Sequence, residues 1–333
     1  MKAYIKAISY YLPSRILINQ EIEKEFPEWS AEKVTTKVGI EQRHIASADE
    51  TAGDMAFLAA EKLFAEHDID RSCVDFVLLC TQSPDYFLPS TACILQNRLG
   101  LRKNMGALDF NLGCSGYVYG LSLAKGLIIS GVARNVLLIT SETYTKYIHP
   151  MDKGNRTIFG DGASASLISF DGFAEIGEFV LGTDGSGAEH LIVKSGASRH
   201  PHQYEDLKYD ESGNPISSDY LFMNGPEIFS FTILTVPKMI KEVIEKNGLS
   251  RNQVSLYVLH QANTYILEFL RKKMKIDEDK FYLNLQNVGN TVSSTIPIAL
   301  YDAWQEGEIK GNIVLAGFGV GLSWGAVVIK IEK

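Results

Sequence analysis

The strongest constraint on this chain is that its two halves repeat each other. VDFVLLCTQS (74–83) is matched by VSLYVLHQAN (254–263), and ALDFNLGCSGYVYGLSLA (107–124) by FYLNLQNVGNTVSSTIPIAL (281–300). NVLLITSE (135–142) is matched by NIVLAGFG (312–319). Each half reads as a strand–helix–strand–helix–strand unit, and two copies are too few for a solenoid. Continuous apolar strands alternating with helices predict mostly parallel sheets covered by helices on both faces. The division falls between residues 172 and 173, giving halves 1–172 and 173–333. Packed face to face, they would form one pseudo-twofold molecule with a shared ligand site at the carboxyl ends of its strands.

Local signals fill in this frame. A strand at Ala3–Ser9 precedes two short helices with Asn19 and Ser30 as N-caps, the second closed by Gly39. Thr51 and Asp54 have the spacing of a capping box, ahead of an Ala-rich helix running to His67. Strands are predicted at 74–80, 135–140 and 163–170, with helices after Ser90 and after Cys114. In the second half, strands at 175–182, 191–193, 255–259, 281–285, 312–316 and 323–331 alternate with helices at 227–246, 264–275 and 291–305. Pro237 should interrupt the first of these helices, and Lys194–Tyr220 is a polar excursion between elements.

Composition removes several function classes. The chain has 333 residues, 45% hydrophobic and 22% charged, an ordinary globular balance with ample material for a core. A net charge of −8 with no basic cluster argues against nucleic acid as a partner. Cys73, Cys80, Cys93 and Cys114 form no C-x-x-C pair and lie near no His at zinc-ligand spacing, so no metal site is expected. Four thiols in a chain this long read as reduced and intracellular. The N-terminal apolar run contains charges and does not suit a signal peptide. No stretch reaches the roughly 18 uncharged apolar residues of a spanning helix. A cytoplasmic protein is expected.

Chemistry concentrates where the repeats align. Cys114 follows a short strand at a Gly-rich turn, where unpaired N–H groups and a helix dipole favour a thiolate. Gly113 and Gly116 keep bulk away from it. Asn290 takes the equivalent place in the second half, and His260 ends its strand with Gln261 and Asn263 after it. A lone free Cys or strand-end His is more often structural, but three reactive types at symmetry-related places point to one shared crevice. Gly317–Gly321 is a Gly-rich turn with no helix after it, which suits a backbone cradle for an oxyanion better than a dinucleotide loop. A papain-like protease also orders Cys, His and Asn, but the C-G-x-C-W context is missing here.

These motifs resemble the β-ketoacyl-acyl-carrier-protein synthase III family of the thiolase-like superfamily, over nearly the whole chain. They are C-S-G-x-x-Y-G-L from Cys114, F-G-D-G-A from Phe159, H-Q-A-N from His260, G-N-T with I-P-I-A-L over Gly289–Leu300, and G-F-G-x-G-L-x-W-G from Gly317. The resemblance implies an α/β fold with five αβαβα layers, a homodimer, and a catalytic Cys114, His260 and Asn290. It implies that Cys114 takes an acyl group from acyl-CoA and that a malonyl thioester on acyl carrier protein then decarboxylates and condenses with it. The oxyanion would be held by the N–H groups of Cys114 and Val320. No cofactor beyond these substrates is implied. Trp29, Lys37, Lys153, Asn263 and Phe318 fall at CoA- and substrate-binding positions, and Leu88 at an acyl-pocket position. Departures cluster at the partner side: Lys37 and Lys153 stand for arginines, Tyr265 for a basic residue, and Pro226 and Ser230 interrupt N-G-x-E-[VI]-F-K. They suggest a dedicated carrier or specialised product in place of bulk fatty-acid initiation. A relative passing its acyl-cysteine to a second thioester, an amine or an alcohol stays open as the alternative.

Overall fold

Thr51 begins the chain's longest N-terminal helix as its spacing requires. Its hydroxyl accepts from the Asp54 N–H at 3.1 Å, and the Asp54 carboxylate accepts from the Thr51 N–H at 3.0 Å. Ser30 caps its helix in the same way, and Gly39 closes it at φ +75°. These are features of a computed structural model that describes residues 2–211, 213–307 and 309–331. The outermost residues of the two expected halves, Met1 and Glu332–Lys333, lie outside the described residues.

Among the described residues, nine strands form one sheet. They are β1 (Tyr4–Tyr11), β2 (Phe76–Cys80), β3 (Gly106–Phe110), β4 (Asn135–Glu142), β5 (Gly162–Ser169), β6 (Ala174–Thr183), β7 (Val254–Leu259), β8 (Gly311–Gly319) and β9 (Ser323–Ile331). The order is β3-β2-β4-β5-β1-β6-β9-β8-β7. The two arms meet where Tyr4 and Ile5 of β1 pair with Glu175 and Ala174 of β6. Read outward from that junction, β1-β5-β4-β2-β3 mirrors β6-β9-β8-β7, with Phe281 bridging Tyr257 at the place that corresponds to β3.

Helices α1 (Ala52–Glu66), α2 (Thr91–Arg98), α3 (Gly116–Ile129), α4 (Gly225–Lys246), α5 (Thr264–Met274) and α6 (Thr295–Gln305) complete the layers. Met55, Leu63 and Leu95 of α1 and α2 pack on Val77, Leu137 and Ile139 of the first arm. On the opposite face, α3 and α6 lie between the arms. Tyr117, Leu121, Ile296 and Leu300 meet Leu78, Leu138 and Ile168 on one side and Val258, Leu315 and Val327 on the other. Val236, Ile240, Leu267 and Leu270 of α4 and α5 cover Leu259, Val314 and Val328 from outside. The result is the five-layered αβαβα arrangement. Each such buried side chain contributes roughly 1.5–3 kcal/mol relative to exposure.

Three expectations are corrected. Five of the eight strand pairings are antiparallel, so the sheet is mixed. Helices cover the strands on both faces, and that alone makes them uniformly apolar whatever their direction. The expected strand at 281–285 is a single bridge. Pro237 does not end its helix, because Val236, Met239, Ile240 and Val243 are buried on either side of it; their packing outweighs the roughly 3 kcal/mol cost of an interior proline. The excursion at 194–220 carries a small hairpin, Lys208–Tyr209 with Pro215–Ile216. No helix among the described residues is long and apolar enough to cross a membrane.

The arms fit together at β8. A Cβ added at Gly317 would lie 2.5 Å from the Cys114 carbonyl oxygen and 2.8 Å from the Ser115 Cα. Backbone cannot move aside as a side-chain end can. Gly317→Ala should therefore lower stability by about 1–3 kcal/mol, measured by urea unfolding, and should slow alkylation of Cys114. An unchanged midpoint would show that the two segments do not need this approach.

Candidate active site

Cys114 follows β3 and precedes α3, whose first helical residue is Gly116 and whose N-cap is Ser115. The sulfur therefore sits just ahead of the first turn, 6% exposed. A Cβ at Gly319 would lie 2.9 Å from it, so β8 can cross this close only as glycine. The N–H groups of Val320 and of Cys114 itself are directed at the sulfur. Burial, followed by the charge of Glu142, nevertheless pushes the thiol up to about 12. The expectation of a resting thiolate is corrected here: desolvation exceeds what two N–H groups and a helix end provide.

His260 continues β7, its N–H donating to the Ala316 carbonyl at 2.8 Å. Its ring is buried, edge-on to Phe318 with 5.8 Å between centroids. Nδ1 lies 2.7 Å from the Thr295 Oγ1, and that hydroxyl lies within donating distance, 3.1 Å, of the Val292 carbonyl. Burial lowers the imidazole to about 3, so it is neutral at any working pH.

Asn290 is positioned by its backbone. Its N–H donates to the Ile158 carbonyl and its carbonyl accepts from the Gly160 N–H, both at 3.0 Å, tying the G-N-T segment to F-G-D-G-A. Its Oδ1 accepts from the Val292 N–H at 2.9 Å, which leaves Nδ2 for the cavity, with the Ala262 carbonyl 3.5 Å away. Val292 pays for this with φ +56°, a left-handed conformation in a fully buried β-branched residue that costs of order 1–3 kcal/mol. Behind the loop, Arg43 is fully buried, donating to the Thr157 carbonyl at 2.8 Å and the Leu17 carbonyl at 3.2 Å. Added Cβ atoms at Gly160 and Gly289 would meet its Cβ at 3.1 and 2.9 Å, so its stem supports both strands of the bridge.

Cys114, His260 and Asn290 line one cavity of about 380 Å³ with Asn263, Phe318 and Gly319. Its mouth is framed by Pro226, Phe229 and Tyr265, the two aromatic rings 5.7 Å apart. Asn263 caps α5 through Oδ1, 2.9 Å from the Ile266 N–H. The other expected ligand positions lie elsewhere. Trp29 packs on the small Leu17, Ile22 and Phe26 cluster with Lys33 over its ring at 5.6 Å. Lys153 reaches Glu28 beside it, and Lys37 is exposed on the last turn of its helix. Leu88 is 83% exposed on the loop before α2 and does not reach the cavity within this chain.

Sequence reasoning missed Arg43 and four further residues here. Arg15 and Arg156 line a second hollow of about 210 Å³ that shares Phe159 with the first, Arg156 pairing with Glu25 at 2.6 Å. Thr295 sits behind His260, although the I-P-I-A-L motif beside it was in view. Glu142 is fully buried at the end of β4, accepting from the Gln82 N–H, Ser83 Oγ and Ser293 Oγ at 3.0–3.2 Å. Its place opposite Gly319 in the repeat gave no hint of a carboxylate. Burial raises it to about 8.

A buried thiol, a neutral imidazole, a carboxamide and an N–H pair facing one apolar cavity define an acyltransferase of the thiolase-like class. Comparison with known proteins narrows the class. Residues 108–185 match the 3-oxoacyl-[acyl-carrier-protein] synthase III family and residues 244–331 match its C-terminal family. The chain is 37% identical to the β-ketoacyl-[acyl-carrier-protein] synthase III of Caldanaerobacter subterraneus subsp. tengcongensis, covering 97% of this chain and 96% of that protein. A crystal structure of a 3-oxoacyl-(acyl-carrier-protein) synthase III is 47% identical with a TM-score of 0.97, over 99% of this chain and 100% of that one. A priming β-ketosynthase from a polyketide biosynthetic pathway is 27% identical with a TM-score of 0.87, over 99% and 97%. The chain belongs to the β-ketoacyl-acyl-carrier-protein synthase III family of condensing enzymes.

Two pH effects follow from the buried groups. Because Cys114 holds its proton to about 12, its alkylation by iodoacetamide should keep rising about tenfold per pH unit past the ~8.5 at which an ordinary thiol levels off. A plateau at or below that point would restore the resting thiolate. Glu142 has a folded value above its free one, so it favours folding while protonated and that stability is lost as pH climbs through about 8. Asp161, raised to about 6 by burial, contributes lower in the range. Between these two values the melting temperature should fall with pH, and Glu142→Gln should flatten the fall; an identical slope would place the titration elsewhere.

Proposed function

We propose that Cys114 carries the acyl group and that His260 and Asn290 act on the malonyl thioester. The observation that carries this reading is their shared cavity, with the Val320 N–H directed at the sulfur. The Cys114 thiol needs an acceptor for its proton, and the neutral imidazole of His260 supplies one in the same cavity. Sulfur then attacks the acyl-CoA carbonyl, the oxyanion is held by the Cys114 and Val320 N–H groups, and CoA leaves as the thiol. In the second half-reaction the malonyl thioester oxygen lies against the Asn290 Nδ2 and the His260 ring. Loss of carbon dioxide leaves an enolate at that oxygen, and its carbon attacks the acyl-cysteine. Neutral donors suit this step, since a cation there would also hold the carboxylate that must leave. Thiol, imidazole, carboxamide and backbone suffice, so no resident cofactor is required.

Arg15 and Arg156, which line the second hollow, would take the nucleotide end of CoA together with Trp29, Lys33, Lys153 and Lys37. Asn263 and Phe318 would line the path of the pantetheine arm. Tyr86, Phe87 and Leu88 are 63–84% exposed, and among the described residues β3 is the edge strand of its arm, carrying the exposed Leu108. An edge of this kind favours pairing with a second copy, which would bring the partner's loop toward the acyl side of Cys114 and give Leu88 its role. The four free thiols fit a cytoplasmic enzyme.

The carrier face is less cationic than the family pattern. Tyr265 is 62% exposed at the mouth, Pro226 and Ser230 are exposed beside it, and Lys241 and Lys272 are paired with Glu245 and Glu268. Lys238 and Lys273 are also exposed on α4 and α5. This supports a dedicated carrier or specialised product over bulk fatty-acid initiation. A strong preference for the general fatty-acid carrier protein over free malonyl-CoA, lost steeply with salt, would overturn it.

The reaction itself is tested by mass spectrometry. Short acyl-CoA should add one acyl mass at Cys114, and Cys114→Ala should fold yet stay unmodified. Asn290→Ala should still acylate while carbon dioxide release falls roughly 100- to 1000-fold, the usual loss for one oxyanion donor. Equal losses in both steps would make Asn290 structural.

A further inference from the structure

His260 faces two demands that one neutral imidazole cannot meet in a single tautomer. Taking the Cys114 proton requires a bare nitrogen toward the cavity, whereas holding the malonyl oxygen requires a protonated one. A doubly protonated ring would meet only the second and is disfavoured by burial. Since Nδ1 faces Thr295, the cavity nitrogen is Nε2. Two groups meet the ring's other edge. The Val292 carbonyl, which accepts from the Thr295 hydroxyl at 3.1 Å and so lies on the Nδ1 side of the ring, can only accept, which favours a proton on Nδ1 and leaves Nε2 bare. The Thr295 hydroxyl, 2.7 Å from Nδ1, can accept from Nδ1–H while donating to Val292 at 3.1 Å, or can turn and donate to Nδ1. It is the one neighbour identified on that edge able to support a proton on Nε2. Its own position is fixed: Thr295 is 2% exposed, at the first residue of α6.

We propose that Thr295 is a positioning residue that lets His260 change tautomer between the two half-reactions. In acylation, Nδ1–H donates to Thr295, Thr295 donates to Val292, and Nε2 takes the Cys114 proton and passes it to the departing CoA sulfur. The carbonyl–sulfur bond of the acyl-CoA breaks as the Cys114 thioester forms, and the ring returns to its starting form. Before condensation one proton leaves Nδ1 and one reaches Nε2 by exchange with solvent, with no net change, and the Thr295 hydroxyl turns to donate to Nδ1. Nε2–H then bonds the malonyl oxygen while the bond to carbon dioxide breaks and the carbon–carbon bond forms. The Cys114 sulfur leaves as thiolate and takes its proton from solvent.

This rests on the reading that His260 serves both half-reactions. Thr295→Val keeps the shape but leaves only the Val292 carbonyl, so it should lock the proton on Nδ1. Acylation of Cys114, followed by intact mass, should stay near the parent rate, whereas carbon dioxide release from a malonyl thioester should fall toward the roughly 100-fold loss of one oxyanion donor. Thr295→Ser, which keeps the hydroxyl, should restore it. Nitrogen-15 spectra of histidine-labelled protein, with His260 assigned by its absence in His260→Gln, should show both ring nitrogens sharing the proton in the parent and Nδ1 alone protonated in Thr295→Val. Equal losses in both half-reactions, undiminished carbon dioxide release, or the same nitrogen protonated in both proteins overturns the proposal. A parent that takes no acyl group on Cys114 overturns the reading of the site, and the nitrogen spectra then still decide the tautomer claim.

Discussion

Everything at the cavity depends on how closely β8 approaches the turn that carries Cys114. Gly317 touches the backbone of Cys114 and Ser115, and Gly319 touches the sulfur. The Ser115 and Ser323 hydroxyls bond across the same junction. This contact brings the Val320 N–H onto the sulfur, sets Phe318 against His260, and closes the layer of α3 and α6 between the arms. A strand with ordinary side chains would stand off by the thickness of a methyl group. The N–H donor would then miss the sulfur, and the second half of the chain would have nothing to contribute to the first.

The same closeness sets the electrostatics. Raising the Cys114 thiol from 9.0 to about 12 corresponds to roughly 4 kcal/mol against the charged form. A helix terminus in a buried setting returns at most about 2 kcal/mol. Burial wins, and it wins again at His260, which it keeps neutral, and at Glu142, which it brings to about 8. The site at rest is therefore a set of largely uncharged groups in a dry cavity. Charge forms there only when a substrate arrives to receive it, and fixed N–H groups then act in a medium where each is worth more than in water.

What the sequence revealed and what it hid divide along this line. Cys114, His260 and Asn290 were legible because each ends or follows an apolar run at matching places in a repeat, which locates side chains without any knowledge of packing. Thr51, Ser30 and Gly39 were legible because caps are local. Strand direction was not, since double coverage gives parallel and antiparallel strands the same composition. Nor was the resting state of Cys114, because desolvation depends on segments 200 residues away in sequence, such as Gly319. Glu142, Arg43 and Thr295 were hidden for a related reason: each acts through partners that only the fold assembles. A polar residue inside an apolar run carries no mark of what will meet it.

The repeat also explains why only one half holds the nucleophile. Cys80 takes in the first half the place that His260 takes in the second, and it too is a strand-end group with reactive chemistry. Its sulfur is fully buried, donates to the Leu112 carbonyl at 3.0 Å, and would be struck by any Cβ on Gly116. Burial pushes its thiol well above the ordinary value, and it does not line the cavity that Cys114 opens onto. The space equivalent to the His260 side of the cavity is thus filled by Cys80 and Gly116 of the first half together with Ser293 from the second, while the second half leaves its own open between α4, α5 and β8. Symmetry supplied two crevices, and filling one of them fixed the polarity of the other: thiol from the first half, proton handling and oxyanion donors from the second.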